Sequence, residues 1–599
     1  MPTERGNPAD IASSRVVLAA ILLLIGSALL LLAGSLIPYP WVEAYVSKVA
    51  AHGQAQKTAA EIFAGAVGRM QIASFLLLGA GLTVFVARKP VLRRVAVWRR
   101  ELRLSAAELS QDVRGSLRGA GLKGLGTVLV LTAAGVAVRV AYLSKPLLWD
   151  EGTTFLRFAW RPAWLPAIWY PEPNNHVLHS VLVSVSRALL GEELWALRLP
   201  ALLAGILVVP VGYAVAQKLY GRWAGLLAGC LLAVSPPLIG YSVNSRGYSL
   251  LMLCFMVLIG LGLYLRERNN LAAWLAFALT AALGFYTVPL MLYPLAVVAA
   301  WLGATFAVGD APGSRAALLL RLGATLVFAA VLTVLLYGPI LLISGPAALI
   351  ANEHVASGSW PRFFSAFPFY LGKSMAAWRH GLPTEVQVLL GVGVVVALLA
   401  HRRINSHRVP VAIAAFTVPV LIVLQRVAPG ARMLVFLFPL FILTAAGGLN
   451  FLCMKLGERT RLWVGGALVL TLALTISGWW SYRTAQAPYL FDAEAERTTL
   501  MHGEEIVDFL QRELKTGDRV LYSLFSENSI KYYFRTRKLE RFLQPKEPVT
   551  RLVVVVNGMM PAFPLGVILE DEGYAAGQYA SPLLLLDLGS EQVYEVLLR

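Results

Sequence analysis

Asp150 and Glu151 stand side by side between Trp149 and Gly152, directly after an apolar stretch. A carboxylate so placed suits a base that takes a proton from a hydroxyl; an ordinary helix cap by Asp150 accounts for the same residues. Pro173-Asn174-Asn175-His176-Val177-Leu178-His179 then opens a second apolar segment. Either asparagine suits an N-cap, and His176 and His179, three residues apart, share one helix face. Zinc takes three or four protein ligands, so the pair points to hydrogen-bond donors for a phosphate, and no metal site is expected. Two arginines complete the set. Arg246 lies in the polar turn Tyr241-Ser242-Val243-Asn244-Ser245-Arg246-Gly247-Tyr248, and Arg432 in Pro429-Gly430-Ala431-Arg432. Each alone reads equally well as a side chain snorkelling to a membrane surface. Snorkelling needs no acids beside bases, and their convergence is what points to chemistry.

These residues need elements that hold them at one level. Of 599 residues, 57% are apolar and 14% charged, against roughly 25% charged in soluble domains, which excludes a water-soluble enzyme. The fold class expected is an α-helical integral membrane protein. Thirteen transmembrane helices are predicted, near 16–37, 62–87, 125–143, 194–216, 222–241, 247–265, 271–286, 288–307, 320–344, 384–400, 409–424, 432–454 and 461–481. The formal charge of +18 belongs on cytoplasmic loops beside anionic lipid, not on a nucleic-acid site. Arg88, Lys89, Arg93, Arg94, Arg99, Arg100 and Arg103 mark the segment after the second span as cytoplasmic, and counting forward places every later basic loop on that side. This parity requires that 177–190 does not cross. It is short of the roughly 20 residues a span needs, and is predicted to lie as a juxtamembrane helix at the outer interface.

The outer side then holds 144–193, 242–246, 345–382, 425–431 and everything after 481, so all four polar clusters fall there. Three parts follow. Residues 1–124 form two N-terminal transmembrane helices and a basic cytoplasmic linker; 125–481 form the transmembrane core with an outer catalytic loop at 144–193; 482–599 form a small extracytoplasmic α/β domain. In that tail a helix-like stretch at 494–514 alternates with apolar runs at 519–524, 552–556 and 583–586. The expected location is the plasma (inner) membrane, multi-pass, with the N-terminus cytoplasmic. Cys230, Cys254 and Cys453 lie in apolar runs as small hydrophobes.

From about 126 to 480 the sequence resembles the C-type glycosyltransferases that use polyprenyl-phosphate sugars. More narrowly it resembles the branch of protein O-mannosyltransferases and the lipid A aminoarabinose transferase. The residues that carry this are Trp149-Asp150-Glu151, Asn175-His176-Val177-Leu178-His179, Leu197-Arg198-Leu199-Pro200, Ser235-Pro236 followed by Tyr241-Ser242 and Ser245-Arg246, and Arg432 before an apolar run with Pro439. The resemblance implies inverting transfer of a sugar from a polyprenyl-phosphate donor to a hydroxyl acceptor in the cell envelope, whether glycan, lipid or protein. Asp150 would be the catalytic base, with Glu151 beside it orienting substrate or the arginines. Asn175, His176, His179, Arg246 and Arg432 would meet the donor phosphate, with no lysine where some members use one. Trp149, Tyr241 and Asn244 would contact substrate.

A phosphodiester departs without needing a proton, so one carboxylate suffices, whereas a glycoside hydrolase needs two across the bond. No cofactor is expected, and a divalent ion is not favoured because a DxD carboxylate pair is missing. The expected partners are the lipid-linked donor, the acceptor and membrane lipids. A transporter or flippase of a lipid-linked anion is the alternative. It calls for ionisable residues along a mid-membrane path, whereas Arg69 and Arg139, the main candidates, fall near outer ends.

Overall fold

Helices that are apolar on every side belong in lipid. The computed structural model describes residues 8–43, 59–350, 358–379, 381–428, 430–456, 458–486, 499–560 and 562–599. Among the described residues, nine helices are long and apolar enough to cross a membrane, and two bent pairs raise the number to eleven if each is one span. The protein is a multi-pass membrane protein. All thirteen expected stretches are mainly helical, but not all are straight spans. Leu271–Thr287 and Val411–Gln425 are short, and Trp360–Arg379 meets Thr384–Leu399 at 105°. Val177–Leu190 is a helix of 14 residues, below spanning length.

The other bent pair, Arg222–Val234 and Pro236–Ser242, turns by 57°. Pro236 and Pro237 have no N–H to give, so the carbonyls of Leu232 and Ala233 lose their helical donors. Arg139 replaces them, donating to Leu232 at 3.2 Å and Ala233 at 3.0 Å, while its Nε donates to Ser242 Oγ at 3.0 Å. This buried arginine is a brace for the break.

The basic linker is ordered. Arg88–Ala141 runs as one helical segment of 54 residues with a break at Gly121. Its first arm latches onto the end of Tyr248–Glu267: Arg268 pairs with Glu108 at 3.1 Å, Tyr264 donates to Asp112 at 2.8 Å, and Asn270 Nδ2 donates to the Ser105 carbonyl at 2.9 Å. Pro8–Ser35 and Ala59–Val86 pack against each other, and Arg69 caps the Leu342 and Ile343 carbonyls at 2.8 Å each.

After the last span comes a four-stranded sheet of β1 (Asp518–Tyr522), β2 (Arg551–Asn557), β3 (Leu583–Asp587) and β4 (Glu591–Leu597), in the order β1-β2-β4-β3. β1 and β2 are parallel, the other pairs antiparallel. The apolar runs expected as strands are β1 to β3. β4, with polar residues interleaved, gave no such signal. Alternation sends Val553 and Val555 of β2 to one face and Leu552, Val554 and Val556 to the other. The first face shares a single apolar core with Leu147, Phe155, Ala159, Val183 and Leu197. The sheet domain is thereby welded to the loop that follows the third span.

Candidate active site

The short Trp149–Thr153 helix sends its two acids in different directions. Asp150 lines a cavity of about 1760 Å³, whereas Glu151 is 1% exposed. Arg198 donates to both Glu151 oxygens, at 2.9 and 2.7 Å, and to the carbonyls of Leu143, Lys145 and Pro146. The backbone N–H groups of Leu148 and Ser245 also donate to Glu151, at 3.1 and 2.6 Å. Glu151, expected to act beside Asp150 by orienting substrate or the arginines, does not line the cavity. A carboxylate holding four donors has nothing left for substrate, and through Ser245 it fixes the turn that carries Arg246.

Asp150 Oδ1 accepts from Asn174 Nδ2 at 3.3 Å. Its Oδ2 is paired with Arg432 and lies 3.7 Å from Arg246 Nη2. Burial alone would raise this carboxyl, but the two guanidiniums outweigh it and hold it below the ordinary carboxylate range. Arg432 is half exposed at 51%, Arg246 only 5%.

His176 is the N-cap of Val177–Leu190 yet makes no side-chain cap. Its Nδ1 instead accepts the Gly247 N–H at 2.8 Å. A Cβ on Gly247 would meet that Nδ1 at 2.9 Å and Thr287 Cγ2 at 2.6 Å, so only glycine permits the approach. Burial, with Arg246 beside it, pushes the imidazole well below its usual value. The neutral ring therefore keeps its proton on Nε2. Nε2 stands 3.4 Å from Arg246 Nη2. Two donors facing each other call for an acceptor between them, and an anion is the acceptor that suits both.

The C-terminal domain completes the wall. Asn528 Nδ2 donates to the Trp149 carbonyl at 3.0 Å and to Thr153 Oγ1 at 2.7 Å, and Phe525 packs on the Trp149 ring at 5.7 Å. Arg535 lies 3.7 Å over the ring of Trp160. Asn528, Lys531 and Arg535 all line the cavity. No three His, Cys, Asp or Glu side chains are placed to hold a metal ion among the described residues.

Residues 174–337 match the model of the dolichyl-phosphate-mannose-protein mannosyltransferase family. The chain resembles the C-type membrane glycosyltransferases. Solved structures similar to it include ArnT from Cupriavidus metallidurans in the apo state, 14% identical over 79% of this chain and 98% of that one, with a TM-score of 0.49. The same protein bound to undecaprenyl phosphate is 14% identical over 78% and 98%, TM-score 0.49. The oligosaccharyltransferase AglB from Archaeoglobus fulgidus, in complex with an inhibitory peptide and a dolichol-phosphate, is 11% identical over 74% and 70%, TM-score 0.45. No curated protein matches the chain.

Of the site expected from the resemblance to the C-type glycosyltransferases, Trp149, Asp150, His176, Arg246 and Arg432 meet on one cavity. Glu151, Asn175, His179, Tyr241 and Asn244 do not line it. Asn175 is buried with its amide on the carbonyls of Pro166 and Trp169, both at 2.9 Å, and Asn174 takes its place on the wall. His179, fully buried, has its imidazole pushed down to about 3 by burial and by Arg246. Tyr241 packs edge-on against Tyr248 at 5.2 Å, and Tyr248 is the ring on the wall. Asn244 shapes the turn, its carbonyl accepting the Arg246 N–H at 2.6 Å. Glu172, which pairs with Arg157 at 3.0 Å, and the tail residues had no signal in the sequence beyond being polar.

Proposed function

We propose that the protein is an inverting glycosyltransferase that moves a sugar from a polyprenyl-phosphate donor to a hydroxyl acceptor at the outer face of the membrane. One observation carries this: an ionised carboxylate, Asp150, shares a cavity wall with two donors 3.4 Å apart, the Nη2 of Arg246 and the Nε2–H of His176. Asp150 takes the proton of the acceptor hydroxyl as its oxygen bonds to the anomeric carbon. The bond from that carbon to the phosphate oxygen breaks, its electron pair stays on the phosphate, and Arg246 and His176 stabilise the new charge. Attack from the side opposite the phosphate inverts the centre. No metal enters this step, and EDTA is expected to leave turnover unchanged.

The family match from Asn174 onward covers His176 and Arg246 and supports a lipid-linked donor. The outer location rests on charge. Arg246 precedes the first residue of Tyr248–Glu267 and the latch to the basic arm sits at Arg268, just past its last, so a helix of about 30 Å separates the two. With the basic arm cytoplasmic, the cavity opens on the other side.

The test compares wild type with Asp150→Asn in proteoliposomes supplied with labelled polyprenyl-phosphate sugars and a membrane extract as acceptor. Label should leave the lipid with wild type and fall by about 10²–10⁴-fold with the variant. Equal release by both removes Asp150 as base. Tight lipid binding by both with no release points to transport.

A further inference from the structure

The cavity wall carries more arginines than the transfer step uses. Three of its cations are matched: Arg157 by Glu172, Lys531 by Glu527, and Arg535 by Glu540. Asp150 pairs with Arg246 and Arg432, and Arg161, Arg362 and Arg426 are also on the wall. Neither Arg362 nor Arg426 has a carboxylate partner among the described residues.

Arg426 is held in place. It is left-handed, at φ 53°, a conformation that costs a residue with a Cβ about 1 kcal/mol or more; among the described non-glycine residues only Lys538 shares it. Its carbonyl accepts the Gly358 N–H at 3.2 Å, and its guanidinium lies 5.5 Å over the ring of Trp360. Arg362 follows two residues later on the Trp360–Arg379 helix. Six residues further along the chain is Arg432, which holds Asp150. A strained cation on the wall, with a second on the same wall and no acid paired with either among the described residues, is arranged for a ligand charge.

We propose that Arg362 and Arg426 form a second anion subsite in the cavity that Arg246 and His176 also line, and that it takes a phosphate group separate from the one the sugar leaves. This rests on the glycosyltransferase reading for its first phosphate only. The second phosphate has two sources, the inner, lipid-linked phosphate of a lipid diphosphate donor or a phosphate carried by the acceptor.

The experiment measures binding to the full-length protein in phosphatidylcholine nanodiscs, with undecaprenyl phosphate, undecaprenyl diphosphate and a soluble oligo(glycerol phosphate) as probes. The variants are the doubles Arg362→Gln/Arg426→Gln and Arg362→Lys/Arg426→Lys, with melting temperature as the check on folding. A donor source gives wild type a preference for diphosphate of about tenfold, lost in the glutamine double and largely kept in the lysine double. An acceptor source gives equal affinity for the two lipids, while the oligomer binds the lipid-loaded wild type about tenfold more tightly than the glutamine double. Equal binding of all three probes by wild type and the glutamine double overturns the subsite. Arg246→Gln tells the two ideas apart: an unchanged affinity for undecaprenyl phosphate sinks the donor-phosphate assignment, and the oligomer arm still decides the Arg362 and Arg426 pair.

Discussion

Asp150 keeps its charge because two arginines oppose its burial, and this sets how the reaction responds to acid. The carboxyl titrates below its ordinary value, about 3.9. The proposed base is therefore intact down through that pH and lost only below it. His176 is neutral well below its usual range and adds no step near pH 6.5. The profile of kcat/KM is expected to be flat from pH 8 to about pH 5 in wild type, and Arg432→Gln, which removes one of the two opposing cations, should move the acid limb upward. A limb near pH 6.5 that disappears in His176→Gln would show that His176 titrates and is not the neutral donor. At this scale the sequence was readable where polar residues sit in short turns between apolar runs. Asp150, His176, Arg246 and Arg432 are of that kind. It was not readable between neighbours: Asp150 from Glu151, Asn174 from Asn175 and Tyr241 from Tyr248 differ only in which way a side chain turns, and that is set by partners distant in sequence, as Arg198 is 47 residues from Glu151.

The elements around the site are joined by buried polar bonds that no periodicity reveals. Glu151 and Arg198 are each 1% exposed, and removing one member of such a pair strands the other charge. Glu151→Ala is expected to cost about 3–5 kcal/mol, read as a lower melting temperature in detergent. Replacing both, as Glu151→Leu/Arg198→Leu, should recover much of that stability and none of the transfer, because Ser245 loses its anchor and Arg246 its position. Recovery of activity with stability would mean that the pair only packs. The span pattern was legible from hydropathy because a lipid-facing helix is defined by composition. The break at Ser235-Pro236 was visible as a proline, but its brace was not. Arg139 reads in the sequence as an outer-end charge, whereas its guanidinium donates to carbonyls freed 93 and 94 residues away.

In the whole molecule the loop after the third span and the terminal sheet share one apolar core, and the loop meets the terminal domain tightly at Gly152. A Cβ there would meet Asn528 Cβ at 2.7 Å. Gly152→Ala is expected to push the Glu527–Thr536 helix off the loop. Transfer should fall and limited proteolysis should release the sheet domain faster, with the melting of the spans unchanged; an unaltered cleavage rate would mean the contact yields without opening. None of this docking was legible, since a tail of ordinary composition announces a folded domain but not the surface it covers. It also gives the chamber a time of assembly. Asn528 follows Trp149 by 379 residues, so at a synthesis rate of about 5–20 residues per second the nascent chain carries its base for roughly 20–80 s before the last wall exists. A copy made only as far as Arg432 therefore has the acid and both of its arginines but no finished room in which to use them.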